Sequence, residues 1–187
     1  IILFFGVESG SERIRNKIIR KGVRDKEIIE ATRLCRKYGI ESNFYLMMGF
    51  PTETKEDLKA TGDIGIKANA DVIGIHLTKI LPGSRLYETA IEEGKISKDF
   101  IDEYIRGEHG EDWAAAWPTY VPDGLTIKDL VEAKKEAYRR FYMRPRWIFQ
   151  RYWKNPSRII QDLKRARVAC NVLVHGATDS TIDARID

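Results

Sequence analysis

From Ile1 to Thr78 the chain repeats one pattern: a short run rich in β-branched and aromatic residues, a stretch of helical periodicity, then another such run. Ile1 to Val7, Ile40 to Met48 and Asp71 to Thr78 read as three strands. Each is separated from the next by a crossover long enough for a helix, which requires parallel neighbours joined right-handedly. The order predicts an α/β unit whose sheet is buried on both faces. Three strands are too few to close a barrel, and an edge as apolar as Ile1 to Phe5 invites aggregation, so further strands are expected upstream. The opening on that run, without a methionine, reads as the carboxy-terminal part of something longer.

Capping chemistry sets the helices between the strands. Ser9 and Glu12 have the spacing of a capping box, which predicts a helix through Ile14 and Ile18 to about Arg20, broken at Gly22. Asp25 is expected to cap a second helix with Ile28, Ile29, Thr32, Cys35 and Tyr38 at helical spacing and Gly39 as its left-handed terminus. After the turn Gly49-Phe50-Pro51-Thr52, the pair Thr54 and Asp57 repeats the capping spacing ahead of a helix to about Ala68. Beyond Glu88 the β signal fades into an irregular connection carrying short helices. Thr126 then caps a helix with Leu130, Ala133, Ala137 and Phe141, interrupted by Pro145. Two more helical stretches follow, split by Asn155-Pro156-Ser157, and 176–187 look polar and frayed. The expected organisation is an α/β unit over 1–95, an acidic irregular connection over 96–125, and a basic, aromatic helical extension over 126–187.

Composition narrows the class. With 187 residues, 43% of them hydrophobic and 32% charged, the chain is neither collagen-like nor low-complexity nor disordered. No apolar run approaches the roughly 20 residues needed to span a bilayer. Cys35 and Cys170 lie too far apart for a local metal knuckle, and a chain of this size needs no disulfide, so a cytoplasmic location is expected. The net charge of +4 is unevenly spread: Glu88 to Asp112 holds nine acidic against three basic residues, Arg139 to Arg167 ten basic against one acidic.

In parallel α/β folds ligands sit at the carboxyl ends of strands. The residues there are Glu8 with Ser9, then Asn43, Tyr45 and Met47 with Gly49, then His76, Thr78 and Lys79. A carboxylate at the position of Glu8 can accept both hydrogens of a vicinal diol such as a ribose. Arg20 can turn a guanidinium toward a ligand carboxylate. The plainer readings are a helix cap for Glu8 and a dipole contact for Arg20. His76 is read first as a packed core histidine and second as a substrate or cofactor contact.

The runs Gly6-Val7-Glu8-Ser9-Gly10-Ser11, Arg20-Lys21-Gly22, Gly49-Phe50-Pro51-Thr52-Glu53-Thr54-Lys55-Glu56-Asp57 and Leu81-Pro82-Gly83-Ser84-Arg85-Leu86-Tyr87-Glu88 resemble, in order and spacing, successive signatures of the radical S-adenosylmethionine superfamily. The resemblance covers about Ile1 to Gly94 and implies the second half of a partial (β/α)6 TIM-like barrel followed by a mostly helical extension. Past it, Ala137 to Ile148 resembles the helical extension of the cobalamin-binding subgroup.

What the resemblance implies is specific. Glu8, beside Ser9, takes the position that binds the ribose hydroxyls of S-adenosylmethionine, and Arg20 the position that pairs with its methionyl carboxylate. Tyr45 and Met47, on one face by the two-residue period, lie beside ribose and adenine, and Thr78 flanks the adenine mostly through backbone. Thr52 departs from the family's usual glycine after the proline, Lys79 from a small polar residue, and Ser84 from a threonine. The three-cysteine loop that ligates the family's [4Fe-4S] cluster is nowhere in this chain, so no metal ligand or catalytic residue is expected in it, and its pocket is expected to be half of one.

The expected function is therefore part of a radical S-adenosylmethionine enzyme, with cobalamin as a further cofactor, carrying out methyl transfer, cyclisation or rearrangement on a small, hydrophobic or tetrapyrrole-like substrate. The alternatives are a methylthiotransferase acting on RNA or protein, and a non-catalytic binding segment. Between Tyr138 and Trp153 seven aromatics interleave with five arginines. Docking on the barrel is the first reading of that pattern, a peripheral contact with a membrane surface or an anionic partner the second, and nucleic acid the least favoured.

Overall fold

The computed structural model describes residues 1–108 and 119–153, with side chains to 149; the expectations for 154–187 and for 109–118 lie outside the described residues. Three strands, β1 (Ile2–Glu8), β2 (Glu41–Met48) and β3 (Val72–Leu77), form one parallel sheet in the order β1-β2-β3. Helix α1 (Asp25–Lys37) links the first pair and α2 (Lys55–Lys67) the second. The chain continues through α3 (Arg85–Glu92), α4 (Phe100–Ile105), α5 (Ile127–Tyr142) and α6 (Pro145–Trp153). This is a mixed α/β fold consistent with part of a TIM-like barrel.

The caps explain several boundaries. Thr54 accepts from Asp57 N at 3.3 Å while Asp57 accepts from Thr54 N at 3.0 Å, the reciprocal box that starts α2. Thr126 and Asp129 do the same for α5. Gly39, with φ of +68°, ends α1 in the left-handed conformation that a residue with a Cβ resists.

The expected helix after β1 differs. Its N-terminus is capped by Ser11, whose hydroxyl accepts from Ile14 N and whose carbonyl accepts from Arg15 N. Glu12 instead accepts from Asp25 N, so the Ser9–Glu12 box does not form. The turn is wound as a π-helix over Ile14–Ile18, short of Arg20. Asp25 opens α1 but does not cap it, because its carboxylate is held by Arg15 and Lys67.

One face of the sheet is the core. Val7, Phe44, Leu46, Met48, Ile73 and Ile75 are buried with Ile28 of α1, Leu58 and Ile64 of α2, and Leu130, Ala137 and Phe141 of α5. Close approach of α2 to α5 and β3 depends on glycine. A Cβ on Gly62 would sit 2.8 Å from the Ala137 Cβ, and one on Gly65 2.6 Å from the Ile73 Cγ2. The extension thus shares its core with the α/β unit.

The opposite face corrects the two-sided burial read from the sequence. Among the described residues it is open: Phe4 is 58% and Tyr45 43% exposed, and His76 is exposed beside them. A continuous apolar run such as Ile1 to Phe5 carries no period-2 signal, so the sequence alone cannot tell a covered face from an open one.

The two edges also differ. On β3, Tyr142 accepts from Ile73 N and donates to Ile73 O at 2.8 Å, Tyr138 does the same for Ile75, and Trp147 Nε1 donates to Asp71 O. Three aromatic side chains therefore occupy the hydrogen-bonding positions of a further strand. They belong to the aromatic run between Tyr138 and Trp153, whose docking reading they follow.

Candidate functional site

The site is built where the strands end. β1 carries a bulge: Gly6 pairs with Tyr45, and Glu8, not Val7, pairs with Leu46. Glu8 itself has φ of +65°, a conformation that side chains rarely adopt. Together these swing its carboxylate back over Gly6, where an added Cβ would lie 2.6 Å from Glu8 Oε1 and 3.0 Å from Lys21 Nζ. Gly6 alternates with buried Val7, so the carboxylate sits on the open face. Lys21 holds it by an ion pair of 2.9 Å.

Next to it, across the ladder, is Tyr45. Its ring stacks on Phe4 with centroids 5.7 Å apart and lies 6.2 Å from the His76 ring. Gly74 lies beneath the same ring, where an added Cβ would meet it at an ordinary contact distance of 3.6 Å. Met47, half-buried, faces His76 in register. Burial and the nearby Lys134 push the His76 pKa down from its ordinary value. His76 is therefore a member of the open face and not the packed core histidine favoured by sequence, because Gly74 and His76 share the parity that the helices leave uncovered.

Two sequence candidates face elsewhere. Ser9 is fully buried toward α2: its hydroxyl lies 3.0 Å from Thr61 Oγ1 and accepts from Ser11 N. Thr78 is buried too; its N–H and hydroxyl both donate to Met48 O, and its carbonyl accepts from Tyr120 N at 2.9 Å. In this structure both residues tie loops together. Arg20, at φ of +62°, is exposed and precedes the Lys21 that reaches Glu8.

Sequence reasoning missed two groups that shape the site. Arg15 has 0% exposure, and its guanidinium donates to Ser9 O at 2.7 Å, Val23 O at 2.8 Å and Asp25 at 2.5 Å, so it pins the segment following Glu8 to the start of α1. Burial alone would raise the Asp25 pKa, but hydrogen bonds from Lys67 and Arg15 outweigh it and hold the carboxyl below its usual range. Glu53, also buried, accepts from Gly49 N at 2.6 Å and Phe50 N at 3.0 Å through one oxygen, while the other has no partner among the described residues. Burial pushes its pKa up to about 7. Neither has a signal of its own: Arg15 reads as a helix-surface cation, and Glu53 as one carboxylate in the acidic run that includes Glu56 and Asp57.

Among the described residues no three of histidine, cysteine, aspartate and glutamate come together as metal ligands, and Cys35 is buried within α1. An iron–sulfur cluster therefore finds no donor set here. On the open face a carboxylate is positioned over Gly6 beside an exposed aromatic ring.

Residues 1–63 match the family model of the radical SAM superfamily. That stretch holds β1, α1, β2 and most of α2. The chain is similar to an uncharacterised methyltransferase of Pyrococcus horikoshii, 26% identical over 85% of this chain and 32% of the relative. A candidate methylthiotransferase of Methanocaldococcus jannaschii is 27% identical over 54% of this chain and 23% of that protein. The archaeosine synthase subunit beta of Methanosarcina acetivorans is 33% identical over 50% of this chain and 28% of its own length. The chain spans about a third of the length of the first two curated relatives it matches.

No helix among the described residues is long and apolar enough to cross a membrane.

Proposed function

We propose that this chain is a segment of a radical SAM enzyme that performs methyl or methylthio transfer, and that it holds one side of the S-adenosylmethionine pocket. The observation that carries the reading is the coincidence of the family match with a bulged strand end that turns the Glu8 carboxylate onto the open face. In this reading Glu8 accepts the two ribose hydroxyls and Lys21 holds that carboxylate in place. The Tyr45 ring and Met47 flank the nucleoside, and Arg20 pairs with the methionyl carboxylate. Phe4 and His76 continue the face toward a hydrophobic substrate and keep water from it. S-adenosylmethionine supplies, when reductively cleaved, a 5'-deoxyadenosyl radical. The cluster's ligands are not among these residues, so the roles of this chain are binding, orienting and excluding water.

Methylthio transfer is supported by the similarity to the candidate methylthiotransferase. Cobalamin-dependent methyl transfer is a finer form of the same reading and rests on the likeness of Ala137 to Ile148 alone.

The test uses the complete protein, produced anaerobically with iron and sulfide. Glu8→Ala is expected to weaken S-adenosylmethionine binding about 10- to 100-fold, the loss of charge-assisted hydrogen bonds, at unchanged iron content. Unchanged affinity would sink the ribose role. A complete protein that binds no iron and yields no 5'-deoxyadenosine would instead support a non-catalytic binding segment.

A further inference from the structure

At the opposite end of the sheet, where α1 and α2 terminate and feed β2 and β3, a pocket of about 440 Å³ opens against the α5–α6 elbow. Five cations line it: Arg33, Arg36, Lys67, Arg144 and Arg146. No carboxylate does. Its apolar floor is Ile29, Ile66 and Ala68.

The bland account is that basic residues in the last turn of a helix offset its dipole. That account serves part of the set. Arg36 and Lys67 sit in the last turns of α1 and α2, Arg36 donates to Asn69 O, Lys67 pairs with Asp25 at 2.6 Å, and Arg33 pairs with Glu30 at 2.7 Å. It does not serve Arg144 and Arg146, which flank the N-terminus of α6, where the dipole favours negative charge and the first turn holds no acidic residue.

Arg144 is the unexplained group. Its Nε donates to Phe141 O at 2.9 Å and its guanidinium lies 4.4 Å over the Phe141 ring, but its Nη2 is buried with no hydrogen-bond partner. A buried donor of that kind costs about 1–3 kcal/mol, more when charged, unless something accepts from it. Burial first, and neighbouring Arg146 second, push the Arg144 pKa down from its ordinary value. Arg144 and Arg146 both line the pocket, so an anion seated there offsets the repulsion between them.

We propose that this pocket is an anion site that takes the phosphate group of a phosphate ester. A tetrahedral oxyanion matches guanidinium forks from several directions, and the apolar floor suits the organic part of an ester better than a bare ion. The site is independent of the strand-end pocket and of the reading given to it.

The test is a titration of the complete protein, followed through its thermal midpoint and through tryptophan fluorescence, since Trp147 adjoins Arg146. Glycerol 1-phosphate is the soluble probe; vesicles of phosphatidylglycerol, against phosphatidylcholine, are the lipid probe, followed by co-sedimentation. Saturable binding is expected to one of them, weakened about tenfold by Arg146→Gln, an exposed residue whose replacement leaves the fold intact. Arg36→Gln, on a different helix, is expected to act in the same direction. A response to glycerol 1-phosphate alone makes the ligand a soluble ester, and a response to phosphatidylglycerol alone makes it a lipid headgroup; both support the site. Binding that ignores Arg146→Gln and Arg36→Gln, binding to single-stranded RNA with no saturable response to either ester, or no binding at all overturns it.

Discussion

Phe44 and Tyr45 are neighbours in β2, yet Phe44 is fully buried among side chains from the sheet and its helices while Tyr45 is 43% exposed on the other side. The difference runs through the whole sheet. The covered face is specified by volume: aliphatic and aromatic side chains fill it, and Gly62 and Gly65 let α2 approach. The open face is specified by backbone geometry instead. A bulge, a positive φ at Glu8 and the absent side chain of Gly6 set a carboxylate on that face beside the Tyr45 ring. Packing makes the first face stable; the second carries the polar and strained groups that stability alone would not select.

The sharpest way to break that contrast is to truncate the two neighbours. Phe44→Ala should cost about 3–5 kcal/mol in chemical denaturation, the usual range for a fully buried aromatic. Tyr45→Ala should cost less than about 1 kcal/mol, chiefly its stacking on Phe4. Equal losses would mean that the open face is packed in the protein as it exists in solution.

Glu53 offers a pH test of the boundary between the faces. Its carboxyl ordinarily titrates at 4.5 and is raised to about 7 in the folded state, first by burial, with Asp57 adding to the rise and the Gly49 and Phe50 amides and Arg13 opposing it. The folded state therefore keeps the proton that the unfolded chain releases. This contribution is fully present below pH 4.5 and is lost as pH rises through about 7, an effect of up to about 3 kcal/mol. Denaturation of wild type and Glu53→Gln across that window should show the wild type losing ground with rising pH and the variant not. Parallel curves would remove the buried carboxyl from the account.

The β3 edge sharpens the comparison from the side. Tyr138→Phe with Tyr142→Phe keeps the rings but strips the acceptors and donors from Ile73 and Ile75, and should cost about 2 kcal/mol. Amide exchange at Ile73 and Ile75 should rise with it. No change in exchange would mean that water, and not the tyrosines, satisfies that edge.

The helices on the covered face were legible in the sequence because packing leaves a period: Ile28, Thr32 and Cys35 follow a helix, and the Thr54 box and the Thr126 cap fix two starts, while the sheet face they cover emerges only in the structure. The three strands and their parallel order follow from the same signals. The open face was legible only in part. Glu8, Tyr45 and Met47 lie where a strand end and a two-residue period put them. Lys21 holding Glu8 and Arg15 pinning the following segment are products of the bulge and the π-helical turn, which leave no periodic trace, whereas His76 is open through its parity on β3. Ser9 and Thr78 show the converse: correct strand ends whose side chains the chain uses to tie its own loops.

Thr52 gives the smallest and most exacting test. It stands where the resembling family commonly has glycine, and its φ of +63° explains the preference, since a β-branched side chain in the left-handed region is strained by about 1–2 kcal/mol. The threonine has a partial compensation. Arg13, which also pairs with Asp57 at 2.5 Å, donates to Thr52 Oγ1 at 2.9 Å and to its carbonyl at 2.7 Å. Thr52→Gly removes the strain and keeps the carbonyl bond, but loses an exposed hydroxyl bond and gives the unfolded chain more freedom, each worth roughly 0.5 kcal/mol. The net should be a gain of about 0.5 kcal/mol, or a Tm higher by about 1–2 °C. Thr52→Ser, which keeps the hydroxyl and drops the branch, should fall between the two. A Thr52→Gly variant less stable than wild type would mean that the Arg13 clasp, and not the backbone, governs this turn, and that strain beside the open face is smaller than the geometry of Glu8 implies.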